Sequence, residues 1–369
     1  FRSFCGADDR WSGIYECGYQ AANANRRTNA VLGSQQVIEV SDLKKTFKQN
    51  TANVSLLRSL FGRTPSIQVT ALEDITFSVD EGQFYSLLGR NGAGKTTAIK
   101  ILCMLLLPDS GSATIAGFDV DGDSEKVRES IGVSIRGERS VYWRLSGRQN
   151  LEYFGQLYGL RGSVLKTRVD EIGDIIDLSD RLDDFVERYS MGMKQRLAIG
   201  CALIHRPRVL LLDEPTIGLD AASARQFRDF IAQDLRDREK VTIVYTTHYM
   251  HEAEEMSDRI GIINHGRIVA EGTPSQIIGM VPGNSIVTIE GTGTDTLDLG
   301  PLDALTGVEA TTTETSSEGS STIRIAASTG SDVPVAEVVQ NLSSQGVEIS
   351  NLEVTRSTLE SAFLQLTSD

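Results

Sequence analysis

The stretch Phe84-Tyr-Ser-Leu-Leu88-Gly89-Arg-Asn-Gly-Ala-Gly94-Lys95-Thr96-Thr97 decides the fold of this chain. An apolar run typical of a buried strand leads into the pattern G-x-x-x-x-G-K-[ST], and an amphipathic helical run follows. In this strand–loop–helix context, the glycines let backbone N–H groups turn inward and surround a phosphate. The pattern therefore predicts a phosphate-binding P-loop within an α/β fold.

Each residue type in this loop suits one part of a nucleoside triphosphate. Lys95 can reach the β- and γ-phosphates, Thr96 offers a hydroxyl group to Mg²⁺, and Thr97 can donate to the α-phosphate. The predicted cofactors are therefore ATP and Mg²⁺. The predicted nucleotide-binding residues of the loop are Gly89, Arg90, Asn91, Gly92, Ala93, Gly94, Lys95, Thr96 and Thr97.

A second apolar run, Leu210–Leu212, ends in the carboxylates Asp213 and Glu214. At the carboxyl edge of a parallel sheet, where ligands bind in such folds, both would lie beside the P-loop. Asp213 would then hold the Mg²⁺ shell, and Glu214 would polarise the attacking water. Alone, such a pair is also typical of a loop start or a helix cap. After a P-loop it predicts a catalytic centre.

Composition limits the class of protein. The 369 residues predict two or three domains, and 40% hydrophobic residues suffice for a core in each. The 36 basic and 50 acidic residues give a net charge of −14, which argues against a protein that coats nucleic acid. Residues 284–369 hold 13 of the acidic and 2 of the basic side chains. No apolar run has the length of a membrane span, and the 4 scattered cysteines indicate a reduced, cytosolic protein.

Three segments follow from the pattern along the chain. Residues 1–34 lack periodicity and are expected to be an ill-ordered extension. Residues 35–283 alternate strands and helices, which predicts a mostly parallel sheet with an antiparallel β part and a helical subdomain at about 140–190. Residues 284–369 predict a small, acidic α+β accessory domain. Within the first domain, Lys44–Gln68 is expected to be a loop insertion and Thr96–Leu107 a helix.

Between the P-loop and the carboxylate pair lies Tyr189-Ser190-Met191-Gly192-Met193. Its simplest interpretation is a helix start with Ser190 as N-cap. Together with the P-loop and Asp213-Glu214, however, the chain resembles the nucleotide-binding domains of ABC ATPases over about residues 37–275. The family usually has Leu-Ser-Gly-Gly-Gln here, and the first, third and fifth positions depart from it. That departure resembles the drug-resistance and ABC-2-type exporter branch.

The resemblance implies roles for further residues. Ser190 and Gly192 would contact the γ-phosphate held by the P-loop of a second nucleotide-binding subunit, in a head-to-tail homodimer. Gly218-Leu219-Asp220 matches the family's D-loop, although Asp220 could equally cap the next helix, and both roles can hold at once. Thr246-Thr247-His248 matches the switch histidine that senses the γ-phosphate. The predicted catalytic residues are thus Lys95, Glu214, Asp220 and His248.

Two positions match the family less closely. Phe47 occupies the place of the aromatic residue that stacks on adenine, but it could be a core residue at a strand end. Glu138 is the nearest residue to the expected Q-loop glutamine and would offer an oxygen to Mg²⁺, unless it is a solvated loop glutamate. The neighbouring Tyr142 and Trp143 would contact a membrane partner or pack in the core.

The resemblance implies the ATP-hydrolysing subunit of an ABC exporter. It would lie on the cytoplasmic face of the membrane, bound to a separate multi-span ABC-2-type permease, with no nucleic-acid partner. The closing segment, Ser357–Thr367, resembles that of daunorubicin-resistance-type subunits. Two alternatives are a soluble mechanochemical ABC ATPase and a nucleotide-binding regulator that does not hydrolyse ATP. The single nucleotide domain and the net charge of −14 argue against the first, and intact Lys95, Asp213, Glu214 and His248 argue against the second.

Overall fold

A computed structural model describes residues 35–50, 66–135, 140–281, 285–292, 297–315, 321–328, 331, 333–356 and 358–368. The chain divides into two units, Phe1–Gln35 and Gln36–Asp369, and every element named below belongs to the second. The extension predicted at residues 1–34 and the Q-loop candidate Glu138 lie outside the described residues.

The described residues form strands and helices that alternate through the first two thirds of the chain. The strands are β1 (Gln36–Asn50), β2 (Ser66–Asp80), β3 (Phe84–Leu88), β4 (Ser110–Ile115), β5 (Phe118–Asp119), β6 (Ile131–Ile135), β7 (Val209–Asp213), β8 (Thr242–Thr247), β9 (Arg259–Asn264), β10 (Arg267–Gly272), β11 (Ser285–Thr292), β12 (Val308–Thr315), β13 (Ser321–Ala327) and β14 (Glu348–Arg356). The helices are α1 (Lys95–Leu102), α2 (Ser124–Ser130), α3 (Gly147–Leu157), α4 (Gly162–Ile175), α5 (Met191–Leu203), α6 (Ala221–Asp229), α7 (Arg236–Glu239), α8 (Met250–Met256), α9 (Pro274–Ile278), α10 (Gly300–Asp303), α11 (Val335–Ser344) and α12 (Leu359–Leu366).

The central sheet has the strand order β10-β9-β3-β8-β7-β6, and only the edge strand β10 is antiparallel to its neighbour. Both faces are covered, so the inner strands β3 and β7 are buried along their whole length and consist mostly of apolar residues. In β7, Leu210 and Leu212 pack into one buried cluster, whereas Val209 and Leu211 pack into another on the opposite face. The first cluster includes residues of α3 and α4, which belong to the helix-rich block predicted at about 140–190. The predicted mostly parallel sheet is confirmed.

A second sheet, β2-β1-β4-β5, is antiparallel and packs against α1 and the central sheet. Here the predicted loop at Lys44–Gln68 is partly wrong. Strand β1 continues to Asn50 and pairs with β2 from Ser66 onward, with Phe47 opposite Val69. This part of the hairpin extends beyond the apolar core. Phe47 and Val69 are exposed and most of the other residues are polar, so the segment lacks the alternation that identifies a half-buried strand.

One helix is shorter than the sequence predicts. Helix α1 ends at Leu102, five residues before the predicted end at Leu107, because the chain turns at Met104, whose φ is +57°. The apolar residues Leu105–Leu107 continue beyond this helix, and periodicity alone therefore overestimates its length. Helix α6 ends at Asp229, and the chain continues as a π-helical segment, Phe230–Leu235.

Strands β11 to β14 form a four-stranded antiparallel sheet of order β12-β13-β11-β14, with α10 and α11 packed on one face. The β-α-β-β-α-β succession is that of a split β-α-β unit, which agrees with the predicted α+β class. The last helix behaves differently from the rest of this segment. Leu359 and Phe363 of α12 are buried with Ala253 of α8 and Ile277 of α9, so α12 packs on the nucleotide-binding part rather than on its own sheet.

His205 gives a testable pH dependence of the fold. Its Nε2 donates to the Ile131 carbonyl oxygen at 2.9 Å, and its ring stacks on Tyr158 at 3.7 Å. Nδ1 is buried without a hydrogen-bond partner among the described residues. Burial lowers the pKa of His205 to about 4. A second proton on this ring would be a buried charge without a partner.

Because its pKa is depressed in the folded state, His205 takes up a proton on unfolding between about pH 6.5 and pH 4. Its contribution to stability is complete above about pH 6.5 and decreases as the pH falls, by about 2 kcal/mol at pH 5. We expect calorimetry to show a steeper loss of Tm between pH 7 and pH 5 in the wild type than in His205→Gln. The same slope in both proteins would contradict this assignment.

Candidate nucleotide site

Three neighbouring parallel strands end at the same edge of the central sheet and place the site. Gly89 follows β3, His248 follows β8, and Asp213 is the last residue of β7. Because β3, β8 and β7 are adjacent and parallel, the segments after them meet above their carboxyl ends. The structure thus brings together the P-loop, the carboxylate pair and the switch histidine that the sequence places far apart.

The conformation of the P-loop depends on glycine and on backbone carbonyl groups that bind Lys95. Gly94 has a φ of +116°, and a Cβ atom there would lie 2.6 Å from the Ala71 carbonyl oxygen, so only glycine fits. Lys95 is 4% exposed, and its Nζ donates to the carbonyl oxygens of Gly89 at 2.7 Å and Arg90 at 3.2 Å. Helix α1 begins at Lys95, and its N-terminal end adds a favourable dipole for an anion. This loop suits a phosphate group.

Asp213 faces two hydroxyl groups. Its Oδ1 accepts from Thr96 at 3.1 Å and from Thr246, on the neighbouring strand, at 2.6 Å. The Asp213 side chain is buried, so these bonds fix it in place. A carboxylate and a hydroxyl group are the hard oxygen donors that Mg²⁺ takes when it also binds substrate phosphates. The residue types at this point therefore fit the predicted cation.

Glu214 connects the P-loop lysine with the switch histidine. Its Oε1 lies 3.2 Å from Lys95 Nζ and 3.3 Å from His248 Nδ1. Its φ of +47° is in the left-handed region that non-glycine residues rarely adopt. The Glu214 N–H donates to the carbonyl oxygen of Thr246 at 3.1 Å and to its hydroxyl at 3.0 Å, which holds this conformation. A carboxylate turned away from the strand in this way can orient a water molecule.

Ser190, Gly192 and Asp220 lie apart from this cluster. Ser190 is exposed and caps α5, where its hydroxyl accepts from the Met193 N–H at 3.3 Å. A Cβ atom on Gly192 would be 4.0 Å from Leu219, so the signature segment, Tyr189–Met193, lies beside the D-loop of its own chain. Within the described part of the chain, no hydrogen bond or ion pair joins Ser190 to the P-loop.

Asp220 caps α6, as its simpler interpretation predicts. Its carboxylate accepts from the Ser223 N–H at 3.0 Å and from the Ser223 hydroxyl at 2.7 Å. These bonds from Ser223 lower the pKa of the Asp220 carboxyl. The side chain is exposed and remains available for a second contact.

Phe47 is 41% exposed, which excludes the strand-end core interpretation. Lys45 Nζ lies 5.9 Å from its ring centroid, and the lysine is itself paired with Asp109 at 2.8 Å. An exposed ring on a fixed strand can stack on a planar base.

The comparisons with known proteins decide the family. The family model described as "ABC transporter" matches residues 72–217. The doxorubicin resistance ATP-binding protein DrrA of Mycobacterium tuberculosis is 35% identical over 316 residues, which are 86% of this chain and 93% of that protein. The chain belongs to the ABC transporter ATP-binding proteins. The daunorubicin resistance ATP-binding protein DrrA2 of Streptomyces coeruleorubidus is 36% identical over 80% of this chain and 90% of its own length.

The fold of this ABC ATP-binding protein agrees with solved relatives. The structure of an ATP-binding subunit of an ABC transporter superposes with a TM-score of 0.53 at 29% identity, over 66% of this chain and 92% of that one. The predicted P-loop ABC nucleotide-binding fold is therefore confirmed. This protein binds and hydrolyses ATP as the ATPase subunit of an ABC exporter. The mechanochemical alternative is not favoured.

The hydroxyl groups that organise this ABC site carry no family motif role and were not predicted from the sequence. Thr246 holds both Asp213 and Glu214, and Thr247 contacts the helix after the switch histidine. The available signal was two consecutive threonines at the end of a buried apolar strand. Buried hydroxyl groups need partners, and the adjacent carboxylates provide them.

Proposed function

We propose that this exporter ATPase works as a head-to-tail dimer that binds a separate membrane permease. The observation that supports it is the position of Ser190 and Gly192. Both lie on the signature segment, outside the cluster of Lys95, Asp213 and Glu214, and the serine is exposed. A second copy turned head to tail would bring this segment to the phosphates bound on the first copy.

Within each site, the residues have distinct roles. The P-loop, Gly89 to Thr97, holds the phosphates of ATP, and the exposed ring of Phe47 stacks on adenine. Thr96 and Asp213 hold Mg²⁺, which supplies positive charge to the phosphates. Glu214 polarises the attacking water, and His248 holds Glu214 and senses the γ-phosphate. Asp220 both caps α6 and contacts the partner copy.

The permease-binding surface includes exposed aromatic side chains beside α5. Tyr142 and Trp143 are 49% and 47% exposed, which argues against simple core packing. Lys194 of α5 lies 4.2 Å from the Trp143 ring centroid, and the Glu187 N–H donates to the Trp143 carbonyl oxygen at 3.0 Å. Apolar rings fixed by polar contacts are typical anchors of an interface.

The permease is a multi-span protein of the ABC-2 type, and the ATPase lies on the cytoplasmic face of the membrane. Among the described residues, no helix has the length and apolarity of a bilayer span. The exported molecule is a drug-like compound. The relatives named for doxorubicin and daunorubicin resistance, of which the chain covers 93% and 90%, support this class.

A pull-down from solubilised membranes tests the permease proposal. With the full chain as bait, we expect recovery of a multi-span membrane protein, and a change in its yield when a non-hydrolysable ATP analogue is added. Trp143→Ala should lower the recovery, whereas Leu105→Ala, which also removes an exposed apolar side chain, should not. Recovery of only ribosomes, nucleic acid or soluble proteins would contradict the proposal and favour the mechanochemical alternative.

A further inference from the structure

Glu252 is a buried carboxylate next to the site whose role no family motif explains. It lies on α8, four residues after His248, and is 3% exposed. A buried carboxylate without partners is strongly unfavourable, so its contacts indicate its purpose. These contacts connect Glu252 with the turn that holds His248 and with the segment before the D-loop.

One set of contacts fixes the turn that presents His248. Glu252 Oε2 accepts from the Thr247 hydroxyl at 2.7 Å. The same hydroxyl oxygen accepts from the Tyr249 N–H at 3.0 Å. The Thr247 side chain thus joins the residues on either side of His248 to a fixed carboxylate, and the imidazole position follows from this turn.

A second set of contacts leads toward the D-loop. Glu252 Oε2 also accepts from the Tyr245 hydroxyl at 2.9 Å, and that hydroxyl lies 3.5 Å from Thr216 Oγ1. Thr216 is two residues before Gly218-Leu219-Asp220. Arg228 of α6, the helix that Asp220 caps, lies 3.9 Å from Glu252 Oε1. Burial, and next the Glu252 charge, raise the pKa of Tyr245 well above its usual value, so its hydroxyl stays a donor.

We propose that Glu252 and Thr247 are positioning residues for ATP hydrolysis. They hold the turn that places His248 Nδ1 against Glu214, and they join this turn to the segment that leads into the D-loop. A change at the D-loop, such as contact with a partner copy, would therefore reach His248 through Thr216, Tyr245 and Glu252. This inference rests on the proposed role of His248, but it is independent of the permease and of the exported molecule.

Two substitutions at Thr247 test it. Thr247→Val keeps the size of the side chain and removes both the bond to Glu252 and the acceptor for the Tyr249 N–H. Thr247→Ser keeps the hydroxyl group. In the full chain, we expect Thr247→Val to lower kcat about tenfold while the KM for ATP changes by less than about twofold, because a bond that positions a catalytic group is lost. Thr247→Ser should retain most of the rate.

A purely structural role would give a different result. It would lower Tm and raise the KM for ATP together, or Thr247→Ser would lose activity as Thr247→Val does. Unchanged kcat in Thr247→Val would also overturn the proposal. The hydrolysis assay uses the full chain alone, with the wild type as reference, so its outcome does not depend on the permease. The permease proposal is tested separately by the pull-down.

A double-mutant cycle decides whether Thr247 acts through His248. Using radiolabelled ATP to follow slow turnover, we expect Thr247→Val to cause no further loss of kcat in a His248→Ala background. An equal tenfold loss in that background would mean that the two residues act independently, and the positioning role would be wrong.

Discussion

Replacing Glu214 with Gln is expected to lower ATP turnover about a hundredfold or more and to leave the protein as an ATP-bound dimer. The amide cannot polarise the attacking water as a carboxylate does. The contacts that hold ATP remain, since Lys95 still donates to the carbonyl oxygens of Gly89 and Arg90. The substitution also removes the negative charge 3.2 Å from Lys95 Nζ, which favours binding of an anionic phosphate. In the proposed dimer, hydrolysis would open the closed form, so the variant should accumulate it.

Size-exclusion chromatography with ATP and Mg²⁺, alongside a phosphate-release assay, measures both effects. Glu254→Gln is the matched control, because Glu254 is exposed on α8 and loses the same charge away from the site. This control variant should hydrolyse ATP as the wild type does, and its fraction of dimer with ATP and Mg²⁺ should equal that of the wild type. A Glu214→Gln protein that stays monomeric with ATP and Mg²⁺ would disprove the interfacial site, whereas one that hydrolyses normally would disprove the role of Glu214.

The core of the site could be predicted from the sequence because its chemistry requires particular residues at strand ends. Gly94 is required by its positive φ and the close Ala71 carbonyl, and Lys95 and Asp213 by charge. The apolar runs before them are long enough to identify buried strands. The order of the strands was not in the pattern itself, and the adjacency of β3, β8 and β7 came from the structure.

The features that the sequence did not predict are mostly contacts between side chains that lie on different elements, and most of these side chains are polar. In the outer part of the β1–β2 hairpin, Phe47 and Val69 are exposed, and the sequence shows no strand periodicity there. Glu252 meets Tyr245 and Thr247 through α8 and β8, and Arg228 only through the packing of α6 on α8. Helix α12 has an ordinary amphipathic pattern, which shows that one face is buried but not that the covering surface is α8 and α9. Side-chain pairing of this kind depends on tertiary packing.

Replacing Lys95 with Ala is expected to reduce ATP affinity about a hundredfold or more. The Lys95 ammonium group is nearly fully buried, and its three neighbours within 3.2 Å are the Gly89 and Arg90 carbonyl oxygens and the Glu214 carboxylate. Removing it takes away the positive charge that attracts the phosphates. It also leaves the Glu214 carboxylate unpaired, and this negative charge then repels the phosphates. Truncating one partner of a buried, hydrogen-bonded charge pair at a binding site typically costs about 2–5 kcal/mol of binding free energy, and about 1.4 kcal/mol corresponds to a tenfold change in affinity.

Titration with a fluorescent ATP analogue measures this affinity, and thermal melting without nucleotide confirms that the variant is folded. Lys100→Ala is the matched control, because Lys100 is exposed on the same helix, α1. It removes an equal charge five residues further along and should bind ATP as the wild type does. The double variant Lys95→Ala/Glu214→Gln should recover part of the lost affinity, since the unpaired carboxylate is then neutral. A folded Lys95→Ala protein with unchanged ATP affinity would refute the P-loop assignment. Lys95 is the cation that contacts both the carbonyl oxygens after β3 and the Glu214 carboxylate after β7.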